Sequence, residues 1–126
     1  MTGNDTDNKS IEIPGIDTES GLALFGGDIS IFLCVLRSFV SDALAVIEKI
    51  RHVSEDSLKD YAITVHGLKG ICSGICAEKV RKMADELELK ARSGDLSGVL
   101  AMNEELIKDT GILVSEVQTF LKNMTI

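Results

Sequence analysis

Apolar residues recur along this chain at alternating spacings of three and four, the period of one face of an α-helix and not the alternation of a strand. Ile29, Phe32, Leu36, Phe39, Ala43, Ile47 and Ile50 make one stripe, and Leu58, Tyr61, Val65, Leu68, Cys72 and Ile75 a second. Ala77, Val80, Ala84, Leu87 and Ala91 make a third. The longest stripe runs through Leu96, Val99, Asn103, Leu106, Thr110, Leu113, Val117, Phe120 and Met124. It has the alternation of a bundle seam, interrupted by the polar Asn103 and Thr110.

Capping residues divide the stripes. Asp17 or Thr18 can cap a short helix through Ser20 to Phe25 that ends at Gly26 and Gly27, and Asp28 caps the next, which His52 closes. Ser57 or Asp56 caps the third helix, Gly74 is its expected left-handed terminator with Ile75 folding back, and Asp95 caps the last after Ser93 and Gly94. Gly98 and Gly111 either permit close helix contact or are tolerated at the surface. Four long amphipathic helices on short turns predict an all-α fold, an antiparallel up-down-up-down four-helix bundle with a short additional N-terminal helix across one end. Residues 1–13 are expected to be a flexible N-terminal segment, because Met1 to Ser10 is polar and rich in Asn, Asp and Thr. Residues 14–126 are the expected domain.

Composition narrows the function. With 126 residues, 44% of them apolar, no Trp and a single Pro, the chain has the size of one domain and lacks β character. A net charge of −7 without a basic stripe speaks against a nucleic-acid partner. No apolar run is expected to reach membrane-span length, and no signal-peptide pattern opens the chain, so a cytoplasmic protein without a membrane span is expected. Cys34, Cys72 and Cys76 follow no disulfide or zinc spacing and are expected to be buried, reduced thiols; no metal site is expected.

One histidine stands apart. His66 lies about 130° from the centre of its helix's apolar stripe, so its imidazole is expected to face solvent or a partner. Lys59, Ala62, Ile63, Lys69, Gly70 and Ser73 share that face. Gly67 and Gly70 each cost a helix interior about 1 kcal/mol relative to Ala. Side chains absent one turn from a nucleophile let another backbone or an anion approach, and the Lys69 ammonium can stabilise developing negative charge. There is no Gly-rich phosphate loop and no room for a kinase ATP site, so the chain is not expected to use ATP by itself.

The run His66-Gly67-Leu68-Lys69-Gly70, followed by Ile75 and Ala77, resembles the signature of histidine-containing phosphotransfer (HPt) domains. The resemblance extends from Leu22 to Gly27 upstream to Leu87, Glu88 and the Gly94-Asp95-Leu96 turn downstream, so it covers nearly everything after Ile13. Gly67 stands where Thr or Ser is usual in the family, and Cys76 where Gly is usual. The resemblance implies a phosphorelay intermediate of two-component signalling. His66 would accept a phosphoryl group from a receiver-domain aspartate or a histidine kinase and pass it to a response-regulator receiver. No cofactor of its own and no autonomous kinase activity are implied; Mg²⁺ is expected on the partner receiver, and the isolated domain is expected to be a monomer.

The implied site comprises His66 as phosphoacceptor and Lys69 as the charge that stabilises the phosphoryl group. Glu88 matches a glutamate that, in chemotaxis-type members, bonds the other ring nitrogen; the alternative is an exposed helix glutamate paired on its own surface. Ala62, Ile63, Gly67, Gly70 and Ser73 form the expected docking patch, with Leu22, Phe25 or Ile29 as extensions. Two other readings stand beside this one. The chain could be a helical adaptor that binds a receiver without transfer, a reading that Cys76 keeps open, or the excised phosphotransfer module of a larger kinase.

Overall fold

The structure, a computed structural model, describes residues 12–124. Among them are five α-helices and no strand: α1 Thr18–Ala23, α2 Ile29–Ile50, α3 Leu58–Ser73, α4 Glu78–Arg92 and α5 Leu96–Met124. Most of the segment expected to be flexible, residues 1–11, lies outside the described residues. Ile13, its last residue, is 3% exposed and belongs to the core.

Each long helix packs on two of the others: α2 against α3 and α5, and α4 against α3 and α5, while α1 rests on α2. The apolar stripes face inward, with Phe32, Leu36, Val65, Leu68, Leu87, Val99, Leu106 and Val117 fully buried in one cluster. Truncating such a residue to Ala costs about 2–5 kcal/mol, since the lost transfer energy is joined by that of the cavity. By length and composition α2 is apolar enough to cross a membrane, where no run of that length was expected. Its inward stripe is buried against the neighbouring helices.

The caps are local. Asp17 accepts from the Ser20 amide at 3.1 Å, Asp28 from Ser30 and Ile31, and Asp95 from Gly98 at 2.8 Å. A Cβ at Gly98 would run into that Asp95 carboxylate, so this glycine makes room for a cap and not for a neighbouring helix. Ser57 precedes α3, but its hydroxyl accepts from the Ser54 amide and leaves the helix without a side-chain cap. Helix α2 ends at Ile50, with His52 just beyond it.

Three helices close on one device. The amides of Gly27, Ala77 and Asp95 reach back five residues to the carbonyls of Leu22, Cys72 and Lys90, at 3.1, 2.9 and 2.9 Å. The residue before each amide is left-handed: Gly26 at φ 65°, Cys76 at φ 58° and Gly94 at φ 79°. These are Schellman closures, which normally take glycine. Gly74, the expected terminator of α3, is right-handed at φ −65°. The turn runs two residues further because both Ile75 and Ala77 are then fully buried, and the strained position falls on Cys76.

Polar side chains also enter the core. The Tyr61 hydroxyl donates to Asn103 Oδ1 at 2.8 Å, and Asn103 Nδ2 donates to the Ile50 carbonyl at 2.7 Å. Asn103, an interruption of the α5 stripe, thereby satisfies an orphan carbonyl at the end of α2 while gripping α3. The expectation of three buried thiols holds for Cys72 alone, whose thiol burial pushes up to about 12. Cys34 points outward, off the apolar stripe of α2, and Cys76 is half-buried.

Candidate functional site

Helix α3 presents His66 outward, 60% exposed, one position past the fully buried Val65. Helix α4 runs alongside and brings Glu88 beneath the ring. Its two carboxylate oxygens lie 3.2 and 3.1 Å from His66 Nδ1. Glu88 is only 6% exposed, so it is no surface glutamate. Burial pushes its carboxyl up, but hydrogen bonds from Lys69, Arg92 and His66 outweigh this and hold it at about 2.

An ionised carboxylate can only accept hydrogen bonds, so Nδ1 is the nitrogen that carries the proton. In the neutral ring the lone pair is then on Nε2, and among the described residues Nε2 makes no hydrogen bond. The imidazole is thus tethered on one edge and open on the other.

Lys69, one turn along α3, extends across the same gap. Its Nζ lies 2.9 Å from Glu88 Oε1 and 3.1 Å from Asp85 Oδ1, and these carboxylates raise its pKa, Glu88 more than Asp85. Arg92 Nε donates to Glu88 Oε2 at 2.8 Å from the last turn of α4. Asp85 and Arg92 were not singled out from the sequence. The signal for Arg92 is the i, i+4 spacing from Glu88, which puts both on one face of α4; no sequence signal ties Asp85 to a lysine on another helix.

The expected docking residues divide. Ile63 is 64% exposed, and a Cβ at Gly67 or Gly70 would meet open space, so this flank of the ring is free of side chains. Ser73 is exposed, but its hydroxyl donates to the Lys69 carbonyl. Ala62 departs from expectation. At 2% exposure it belongs to the core and floors an open groove of about 580 Å³ beside Ile63, Ala91 and Arg92. The α3–α4 interface covers the helix edge where Ala62 lies, which a single-helix projection leaves exposed. Leu22, Phe25 and Ile29 are half-buried against the core, and Leu89 on α4 is a large exposed apolar residue that the sequence reading passed over.

Among the described residues no group of three or more His, Cys, Asp or Glu is placed to hold a metal ion. The site therefore consists of an exposed imidazole, a buried carboxylate under it, and two cations on that carboxylate. Comparison with family models, with curated proteins and with solved structures finds no match to this chain.

Proposed function

We propose that this chain is an HPt-type phosphorelay intermediate, with His66 as the phosphoacceptor, acting in the cytoplasm between a receiver domain or histidine kinase and a response regulator. The observation that carries the reading is the Glu88 carboxylate against His66 Nδ1, which leaves the unbonded Nε2 as nucleophile on an exposed ring. The cyclic order of helix contacts and the short connections fit the antiparallel up-down-up-down bundle of that family, with α1 across one end.

Transfer runs through Nε2. Its lone pair attacks the phosphorus of the receiver's aspartyl phosphate, the P–O bond breaks, and the aspartate leaves as a carboxylate. The ring, still protonated at Nδ1, takes a positive charge as the N–P bond forms. Glu88 lies against that N–H and offsets the charge, while Lys69, one turn along the same helix, supplies the ammonium for the phosphoryl oxygens. Phosphoryl transfer needs mainly positioning and charge stabilisation, which a rigid helix presenting one side chain supplies. The receiver is expected to bring Mg²⁺.

Cys76, the residue that favours a non-transferring adaptor, occupies a helix terminus whose left-handed backbone is the reason glycine suits it. Its departure from the family pattern bears on the turn and not on the imidazole. The test is incubation with a phosphorylated receiver: wild type should acquire acid-labile, base-stable label and His66→Gln none. Label that survives the substitution, or binding without any label, overturns the reading.

A further inference from the structure

We infer that Arg92 is a positioning residue that keeps Glu88 aligned on His66 Nδ1 when Lys69 turns to the phosphoryl group. The inference rests on the reading of His66 as phosphoacceptor. Lys69 has two tasks that compete in space, since in this structure its ammonium is engaged by Glu88 Oε1 and Asp85 Oδ1. A dianionic phosphoryl group on Nε2 draws that ammonium away from them. Glu88 then loses the cation on Oε1, just as the ring beside it becomes cationic and most needs the carboxylate ionised and in place.

Arg92 is bonded to the other oxygen. Its Nε lies 2.8 Å from Oε2, the oxygen nearer Nδ1 at 3.1 Å. The two cations therefore hold Glu88 independently, one from α3 and one from its own helix. Arg92 is 52% exposed and stays at its post because Glu88 four residues earlier is the favourable i, i+4 order near a helix C-terminus. The groups facing Glu88 are His66 and Lys69 from α3 and Arg92 from α4, with Asp85 behind Lys69.

Removing Lys69 by mutation imitates its departure, so the device can be read without any phosphate. Ring ¹⁵N shifts report the tautomer of His66, and carboxyl ¹³C shifts report the charge of Glu88. In Lys69→Ala and in Arg92→Gln alone, the excess of the Nδ1–H tautomer should persist and Glu88 should remain ionised at pH 5. In the double variant Lys69→Ala/Arg92→Gln the tautomer excess should be lost and Glu88 should titrate above the ordinary carboxylate range, because burial is then opposed by His66 alone. Lys69→Ala/Arg92→Lys should restore both. Loss of the tautomer excess in Lys69→Ala alone, or its survival in the double variant, overturns the inference; if the double variant does not fold, the rate at which Arg92→Gln takes up label decides it. With phosphorylated receiver, Arg92→Gln should then take up label about tenfold more slowly than wild type, as changes in supporting partners do, and an undiminished rate overturns the inference. A wild type that takes no label removes the phosphorelay reading but leaves the tautomer result standing, so the two failures are distinct.

Discussion

Two polar clusters pierce the helix interfaces, and they are built on opposite plans. Tyr61, Asn103 and the Ile50 carbonyl form a neutral chain across α2, α3 and α5 whose hydrogen bonds close on one another. His66, Glu88, Lys69 and Arg92 form a charged cluster across α3 and α4 in which the carboxylate is buried and the imidazole half open. A closed neutral network sets the register of helices and is costly to break, because each freed group is left unsatisfied. An open charged one leaves a nucleophile at the surface with its tautomer decided from below. The first ties three helices together, and the second leaves Nε2 open at the surface.

Substitutions should separate the two, and the largest effect is expected in the closed cluster. Asn103→Ala orphans the Tyr61 hydroxyl and the Ile50 carbonyl and opens a small void, which should lower unfolding free energy by about 2–4 kcal/mol. Denaturation by urea measures it, and transfer by the folded fraction should not change. A transfer defect as large as the stability defect would break the distinction between the clusters.

Glu88→Gln should act the other way, slowing phosphoryl uptake by about 10–100-fold, the range seen when the carboxylate behind a metal-bound histidine is removed. It should also alter the acid limb of stability. Glu88 is held at about 2 in the folded protein against an ordinary 4.5. Its contribution is therefore fully present above about pH 4.5 and lost as the pH falls from there towards 2. Thermal melts across that window should show a loss in wild type that Glu88→Gln lacks.

Lys69→Ala is expected to reduce the transfer rate about tenfold, less than the roughly 100- to 1,000-fold of a fully preorganised donor, because its ammonium is shared with Glu88 and Asp85. Single-turnover kinetics would show it, and an unchanged rate would remove Lys69 from the chemistry. The smallest effect belongs to neither cluster. Cys76→Gly relieves a left-handed backbone that costs an L residue about 1–2 kcal/mol, less the extra chain entropy of glycine. A net gain of about 0.5–1 kcal/mol with unaltered transfer would sharpen the separation of stability from chemistry, whereas a change in transfer would tie the α3 terminus to the site.

The difference between Gly94 and Cys76 shows how far local pattern carries. Both residues close a helix with the same bonds and the same left-handed backbone. Glycine announces such a position from sequence and cysteine does not, so the left-handed residue that closes α3 was expected at Gly74, two residues early. The same limit applies to side chains. Cys34 sits in a markedly apolar run and was expected inside, yet its angular position on α2 turns it to solvent. Ala62 was expected outside because one helix was projected alone, and α4 covers it.

By itself the sequence determined five helices, most of their caps, the buried stripes and the outward direction of His66. These follow from the 3.6-residue period and from hydrogen bonds that span four residues or fewer, both of which are local. Only the tertiary structure decided that Glu88 lies under His66 and not on its own surface, that Lys69 is shared between Glu88 and Asp85, and that Arg92 holds the remaining oxygen. It also decided that Asn103 reaches the end of α2. Each of these depends on the rotation and offset of one helix against another, which the packing of several stripes settles together and no single stripe encodes.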